Sequence, residues 1–158
     1  MYDSKTAISH LKGLHLANSK VKHPELPYHT TPLFSASSSN GLTKCIKHFL
    51  TLKGHFCERT GNEGRVIDNR ETFIDTVGIT RTIGNIKRVK SSGTPGTSDL
   101  KSCINGRFIA IEIKFSKDRI RSEQVEYRKQ VESAGAIYFI ATTLHDFLNW
   151  YYKTFANG

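Results

Sequence analysis

Apolar residues recur along residues 42–50 at the spacing of one face of an α-helix. They occupy positions i, i+3, i+4, i+7 and i+8, namely Leu42, Cys45, Ile46, Phe49 and Leu50. Ser39 or Asn40 can cap the start of this helix, and Gly54 can end it. A short strand is predicted next, from His55 to Arg59.

The second half of the chain continues with alternating elements. A helix is predicted over Glu123–Ala134, capped by Ser122 and ended by Gly135, and an apolar strand over Ala136–Ala141. Thr143 then caps a last helix. The predicted buried face of that helix is Leu144, Phe147, Leu148, Tyr151 and Phe155.

The region between these parts is polar. After a polar stretch, residues 79–89 predict two basic strands joined by a two-residue turn at Gly84-Asn85. The composition of residues 91–97 predicts a loop.

The first 39 residues differ from the rest of the chain. They are rich in Ser, His and Lys, contain three of the four prolines and end in a polar run. Ser4 could cap a short helix bearing Ile8, Leu11 and Leu14, but its apolar face is narrow. We therefore predict a partly irregular N-terminal extension over residues 1–39.

A β-hairpin between residues 99 and 115 carries the most specific pattern. Asn105-Gly106 is a strong two-residue turn signal because both positions accept positive φ. If these two residues form the loop, counting outward from it places Asp99 opposite Glu112. Strand alternation puts Lys114 on the same face as Glu112. The other face is predicted to be apolar, with Leu100, Ile109, Ile111 and Ile113.

Two facing carboxylates indicate a possible metal site. Their Cβ atoms lie about 5 Å apart across a ladder, and like charges there destabilise the sheet unless a cation lies between them. Carboxylate oxygens favour Mg²⁺ or Mn²⁺, and Mg²⁺ often takes only one or two of them. The alternative is an ordinary salt bridge in which Lys114 neutralises both acids.

The helix that follows places a polar residue in a stripe that should face the sheet. This stripe consists of Gln124, Tyr127, Val131 and Ala134. Gln124 either hydrogen-bonds backbone at the edge of the sheet or reaches toward the carboxylates.

Composition favours a polyanionic partner. The net charge is +9, and residues 101–129 alone contain eight basic residues against four acidic ones. Such a balance is typical of nucleic-acid binding, and basic proteins without that function also occur. No apolar run is long enough to cross a bilayer and no secretory signal is present, so we expect a cytoplasmic protein without a membrane role. Three widely spaced cysteines fit neither a disulfide framework nor a zinc motif.

These motifs together resemble the VRR-NUC domain of the PD-(D/E)XK nuclease superfamily. The resemblance rests on residues 93–100, 111–114 and 122–124, with Gly135-Ala136 leading into the last core strand, and covers about residues 41–142. It implies a single α/β nuclease domain over residues 40–158, with an αβββαβ core and a central mixed sheet flanked by helices. It further implies a metal-dependent DNA endonuclease. Stand-alone members resemble Holliday-junction resolvases, so branched DNA and a homodimer are expected.

The resemblance also implies roles for individual residues. Asp99, Glu112 and the backbone carbonyl of Ile113 would hold Mg²⁺ or Mn²⁺. Lys114 would position or activate water, and Gln124 would organise the site. The predicted nucleic-acid-binding residues are Ser98, Lys101, Lys117, Arg119, Arg121 and Arg128.

One position departs from the family pattern. Members often have a further Glu in the first turn of the opening helix, where this chain has Asn40-Gly41. Glu58 or Glu63 could replace it, or the site could hold a single metal. A non-catalytic nucleic-acid-binding module that retains the fold is therefore the alternative function, and an RNA-directed nuclease is a third possibility.

Overall fold

The computed structural model describes residues 1–61, 64–89 and 93–155. The elements, in chain order, are α1 (Ser4–Lys22), α2 (Ser39–Leu52), β1 (Phe56–Arg59), β2 (Arg65–Asp68), β3 (Glu71–Ile74), β4 (Thr80–Ile83), β5 (Ile86–Val89), β6 (Leu100–Ile104), β7 (Arg107–Ile113), α3 (Ser122–Ser133), β8 (Ile137–Ala141) and α4 (Leu144–Phe155). Within the described ranges, no helix is both long and apolar enough to cross a membrane.

A four-stranded mixed sheet is the centre of the fold. Its strand order is β1-β6-β7-β8. Strand β6 runs antiparallel to both β1 and β7, and β8 runs parallel to β7, to which it is connected through α3. The predicted mixed α/β class is confirmed, and the nuclease identity of the domain stays a prediction.

The main core lies on one face of this sheet, under α2 and α4. Every residue of the predicted apolar faces of these two helices is buried. Thr143 caps α4 as predicted, since its hydroxyl accepts the Asp146 N–H at 3.2 Å. The cap of α2 is Ser38, one residue before the predicted pair, and its hydroxyl accepts the Gly41 N–H at 3.1 Å.

Helix α1 packs into the same core. Ala7 and Leu11 are fully buried, and α1 contacts both α2 and α4. The cap is Asp3 rather than Ser4, because the Asp3 carboxylate accepts the N–H groups of Lys5 and Thr6. The predicted short helix is therefore 19 residues long and contributes directly to the core. The predicted division into an extension and a nuclease-like domain at residue 40 stays a prediction.

Residues 61–94 form a compact unit separate from the one formed by residues 1–60 and 95–158. The strand pairing in this unit shows that the predicted hairpin at Gly84-Asn85 is wrong. Strand β4 pairs with β3, and β5 pairs with β2, so the two predicted partners do not pair with each other. The tight turn lies at residues 75–79, where the Asp75 carboxylate accepts the N–H groups of Val77 and Ile79.

The Gly84-Asn85 step is a bend between two paired sections. The Asn85 carbonyl accepts the Asn69 N–H at 3.0 Å, so the β2–β3 arm and the β4–β5 arm stay hydrogen-bonded to each other at the bend. Gly84 has φ +96°, and a Cβ there would lie 2.1 Å from the Asn69 carbonyl oxygen. The glycine is thus needed for a close backbone approach and not for a hairpin turn.

Helix α3 covers part of the other face of the mixed sheet. Val131 packs with Ala110 and Tyr138 in a second, smaller apolar cluster, with Tyr127 at its edge. The predicted sheet-facing stripe is confirmed except at Ala134, which is exposed because it lies beyond the last turn of α3.

Candidate metal and catalytic site

The Asn105-Gly106 turn sets the register of β6 and β7. Asn105 and Gly106 have φ +49° and +77°, as a two-residue hairpin loop requires. Ile104 pairs with Arg107 and Leu100 with Ile111, as predicted. The next residues outward are Asp99 and Glu112, which the same register places opposite each other.

The two faces of the hairpin also separate as predicted. Leu100, Ile109, Ile111 and Ile113 are all buried in the main core. Glu112 alternates with them and therefore points to the opposite face. It is nevertheless only 3% exposed. The start of α3 covers it, since Gln124 contacts its carboxylate, so the part of this face around Glu112 is enclosed.

The two oxygens of Glu112 have different surroundings. Oε1 accepts a hydrogen bond from Gln124 Nε2 and lies 3.2 Å from Lys114 Nζ. Oε2 is buried and has no hydrogen-bond partner among the described residues. Burial raises the pKa of Glu112 to about 7, and the nearby charge of Asp99 adds to the increase, while Lys114 and Gln124 oppose it. A buried carboxylate oxygen without a donor is a costly arrangement that a cation would relieve.

Gln124 connects the carboxylate to the lysine and to the start of α3. Its Oε1 accepts from Lys114 Nζ at 2.8 Å and from the Arg121 N–H at 3.0 Å. Helix α3 begins at Ser122, and its N-cap residue is Arg121 rather than the predicted Ser122. The N–H of Arg121 is the group that donates to Gln124. Gln124 therefore does both of the things considered from the sequence. Its amide oxygen accepts a backbone N–H, and its amide nitrogen donates to the Glu112 carboxylate.

Lys114 is fixed by a third contact, in addition to those with Glu112 and Gln124. Its Nζ also donates to the Arg119 carbonyl at 3.1 Å, and its side chain is 12% exposed. The ammonium group is therefore held beside Glu112 by three oxygens from three residues.

Asp99 is anchored from both sides. Its Oδ2 accepts the Ile113 N–H at 2.8 Å, and its carbonyl accepts the Thr60 N–H at 2.9 Å. The amide of Ile113 thus orients Asp99. The predicted role of the Ile113 carbonyl as a metal ligand stays a prediction.

Tyr138 belongs to this face and was missed from the sequence. It lies beside Ala110 in the parallel register of β7 and β8, and so on the same face as Glu112. Its hydroxyl is buried with no hydrogen-bond partner among the described residues. Burial, followed by the charges of Glu112 and Asp99, raises the pKa of Tyr138. Alternation along residues 136–141 could have identified it.

The predicted nucleic-acid-binding residues differ in accessibility. Ser98 is fully buried, and its hydroxyl donates to the Leu100 carbonyl at 3.0 Å, so its side chain is closed to a phosphate in this structure. Lys101 is half-buried on the face of the sheet that carries Glu112. The exposed ones are Lys117, Arg119, Arg121 and Arg128. Arg128 pairs with Glu132 at 2.8 Å.

Two carboxylates form the acidic part of the site. Within the described residues, no group of three or more His, Cys, Asp or Glu side chains is placed to hold a metal ion. Asn40, at the start of α2, accepts from Arg59 at 2.8 Å. Glu58 is exposed on β1, where it pairs with Lys101 of β6. Glu63 lies outside the described residues. The donor set fits Mg²⁺ or Mn²⁺, which can complete their shells with water and phosphate oxygens.

Comparison with known proteins leaves the family open. No family model matches this chain, and no curated protein matches its sequence.

Proposed function

We propose that this protein is a Mg²⁺- or Mn²⁺-dependent endonuclease that hydrolyses phosphodiester bonds in DNA. The observation that carries the proposal is the pair Asp99 and Glu112 on adjacent strands, with a buried Glu112 oxygen that has no donor among the described residues. A lysine held beside the same carboxylate distinguishes this arrangement from a simple acidic pair.

The side chains have separable roles in the proposed reaction. Asp99 and Glu112 would hold the metal, which when bound acidifies a coordinated water and polarises the phosphate. Lys114 would donate to a phosphate oxygen or to the attacking water and stabilise the negative charge that develops on the phosphate. Gln124 would keep the ammonium group and the carboxylate in place, since it bonds both.

A preference for branched DNA and a homodimeric state of the protein are also part of this proposal. They rest on the resemblance of residues 93–100, 111–114 and 122–124 to the VRR-NUC domain, whose stand-alone members resemble Holliday-junction resolvases. Sedimentation of the protein alone and with a four-way junction measures the expected dimer directly. A protein that stays monomeric in both conditions would remove this part of the proposal.

The test is a cleavage assay on labelled linear, flap and four-way-junction DNA in Mg²⁺, Mn²⁺ or EDTA. The native protein, Asp99→Ala and Lys114→Ala are compared, with Lys12→Ala as the matched control because Lys12 is exposed on α1 and lies outside the predicted catalytic and nucleic-acid-binding residues. Cleavage should require metal. Both site variants should lose at least a hundredfold in rate, and the control should lose little.

Two results would reject the mechanism. One is cleavage that persists in EDTA, and the other is cleavage that survives both site substitutions. An RNA strand of the same sequence serves as a parallel substrate, and its preferential cleavage would replace DNA by RNA as the target.

A binding module without catalysis is the second candidate function. The observation that favours it is the presence of only two carboxylates at the site, within the part of the chain described. Tight, salt-sensitive binding to DNA without cleavage under any metal condition would support it over the nuclease.

A further inference from the structure

Residues 64–89 form an antiparallel ribbon, which we call the β-ribbon. Its strands β2 to β5 pair only with one another among the described residues. Ile67 is the one residue of these strands that is not exposed. Two-stranded hairpins without a packed layer are marginally stable in water. A ligand that covers the β-ribbon would therefore stabilise it.

Two of the five basic residues of the β-ribbon are neutralised within it. Arg70 pairs with Asp68 at 2.7 Å, and Arg81 pairs with Asp75 at 2.5 Å. These pairs account for two of its three acidic residues.

The other three cations have no ion pair within the described part of the chain. They are Arg65, Lys87 and Arg88, and all three lie in the section formed by β2 and β5. Arg65 pairs with Val89, and Ile67 with Lys87, so Arg65 and Lys87 share one face of this section. That face contains no acidic residue. Arg88 lies on the opposite face. Unpaired cations at this density are complementary to a polyanion.

We propose that the β-ribbon docks into the major groove of duplex DNA, with Arg65, Lys87 and Arg88 against the phosphates. The major groove is about 12 Å wide and admits a two-stranded ribbon. Residues 65–74 span at most about 30 Å, since the bend shortens the fully extended length, and this is less than one turn of B-DNA. The proposal rests on the proposed function only for the choice of DNA as the polymer.

The apolar side chains of the β-ribbon suit the same groove. Phe73, Ile74 and Ile83 are exposed by 43%, 71% and 56%. Apolar contacts to thymine methyl groups are a common part of base readout in the major groove. Duplex RNA has a deep, narrow major groove that a ribbon cannot enter, so the docking geometry favours DNA.

The experiment measures binding of the full chain to a fluorescent DNA duplex of about two helical turns by anisotropy, in EDTA and over a range of salt. The variant combines Arg65→Gln, Lys87→Gln and Arg88→Gln. Its affinity should fall at least tenfold at about 0.1 M salt. The slope of log K against log [salt] should become shallower by about 2–3, as loss of three phosphate contacts requires.

The matched control removes the same charge from exposed positions on the helices, Lys12→Gln, Lys20→Gln and Lys44→Gln, and should change the affinity less than threefold. Equal losses in both triple variants would show a general charge effect and overturn the proposal. So would native binding too weak to measure, or duplex RNA bound as tightly as DNA. The proposal would also be overturned if the β-ribbon variant lost self-association but bound DNA as tightly as the native protein. The β-ribbon would then be an interface between copies of the chain. Because EDTA is present, a failure of the nuclease assay leaves this result unaffected.

Discussion

Replacement of Glu112 by Gln should change how the stability of the protein depends on pH. The pKa of this carboxyl rises from 4.5 to about 7 on folding. The folded protein therefore binds the proton more tightly than the unfolded chain does. Its contribution to stability is fully present below pH 4.5 and is lost as the pH rises through 7. The amide introduced by E112Q is neutral at every pH, so its contribution to stability does not change over this range.

The magnitude follows from the difference between the two pKa values. One pKa unit corresponds to about 1.36 kcal/mol. Relative to that of the native protein, the free energy of unfolding of E112Q should therefore increase by about 2–3 kcal/mol between pH 5 and pH 8. A constant offset is expected as well, because the new amide nitrogen is buried where Oε2 has no partner among the described residues. The offset does not depend on pH.

Urea unfolding at pH 5, 6, 7 and 8 in EDTA measures this difference. Other titrating groups are common to both proteins and cancel. A difference that stays constant over the whole range would refute the account of a desolvated carboxyl facing Asp99. Repetition at pH 8 with Mn²⁺ should restore stability to the native protein and not to E112Q.

Four further substitutions test three separate parts of the structure. Gln124→Leu removes three hydrogen bonds and should lower the free energy of unfolding by about 1–3 kcal/mol and slow cleavage, whereas an unchanged cleavage rate would contradict a positioning role. Leu11→Ala should cost about 2–5 kcal/mol in urea unfolding because the side chain is fully buried, and Leu14→Ala, which is half-buried, should cost less. Tyr138→Phe should leave the melting temperature unchanged or higher, since the hydroxyl has no partner among the described residues. A clear loss of stability in Tyr138→Phe would show that the hydroxyl is bonded in the folded protein.

The hairpin could be predicted from sequence because its signals are local. Asn105-Gly106 fixes the turn, and the period of two then determines which residues face each other. This gave the register of Asp99 and Glu112 without knowledge of the rest of the fold. The burial of Glu112 could not be predicted, because it depends on where α3 packs.

Two other regions show where sequence patterns carry too little information. Helix α1 has only two fully buried residues, Ala7 and Leu11, so its apolar stripe is narrow although it packs firmly. The β-ribbon has almost no buried face, so its strands show no alternation of apolar and polar residues. Without that alternation, Gly84-Asn85 resembled a hairpin turn, whereas the turn is set by the Asp75 side chain.

The most direct test of the nuclease account is single-turnover cleavage of a four-way junction by the native protein and Lys114→Met, with Mn²⁺ binding measured by electron paramagnetic resonance on the same samples. Lys114 is assigned to charge stabilisation and not to the metal. The account therefore predicts that the variant binds Mn²⁺ within about tenfold of native affinity but cleaves at least a hundredfold more slowly. Equal cleavage by the two proteins, or a native protein that neither binds Mn²⁺ nor cuts the junction, would contradict it.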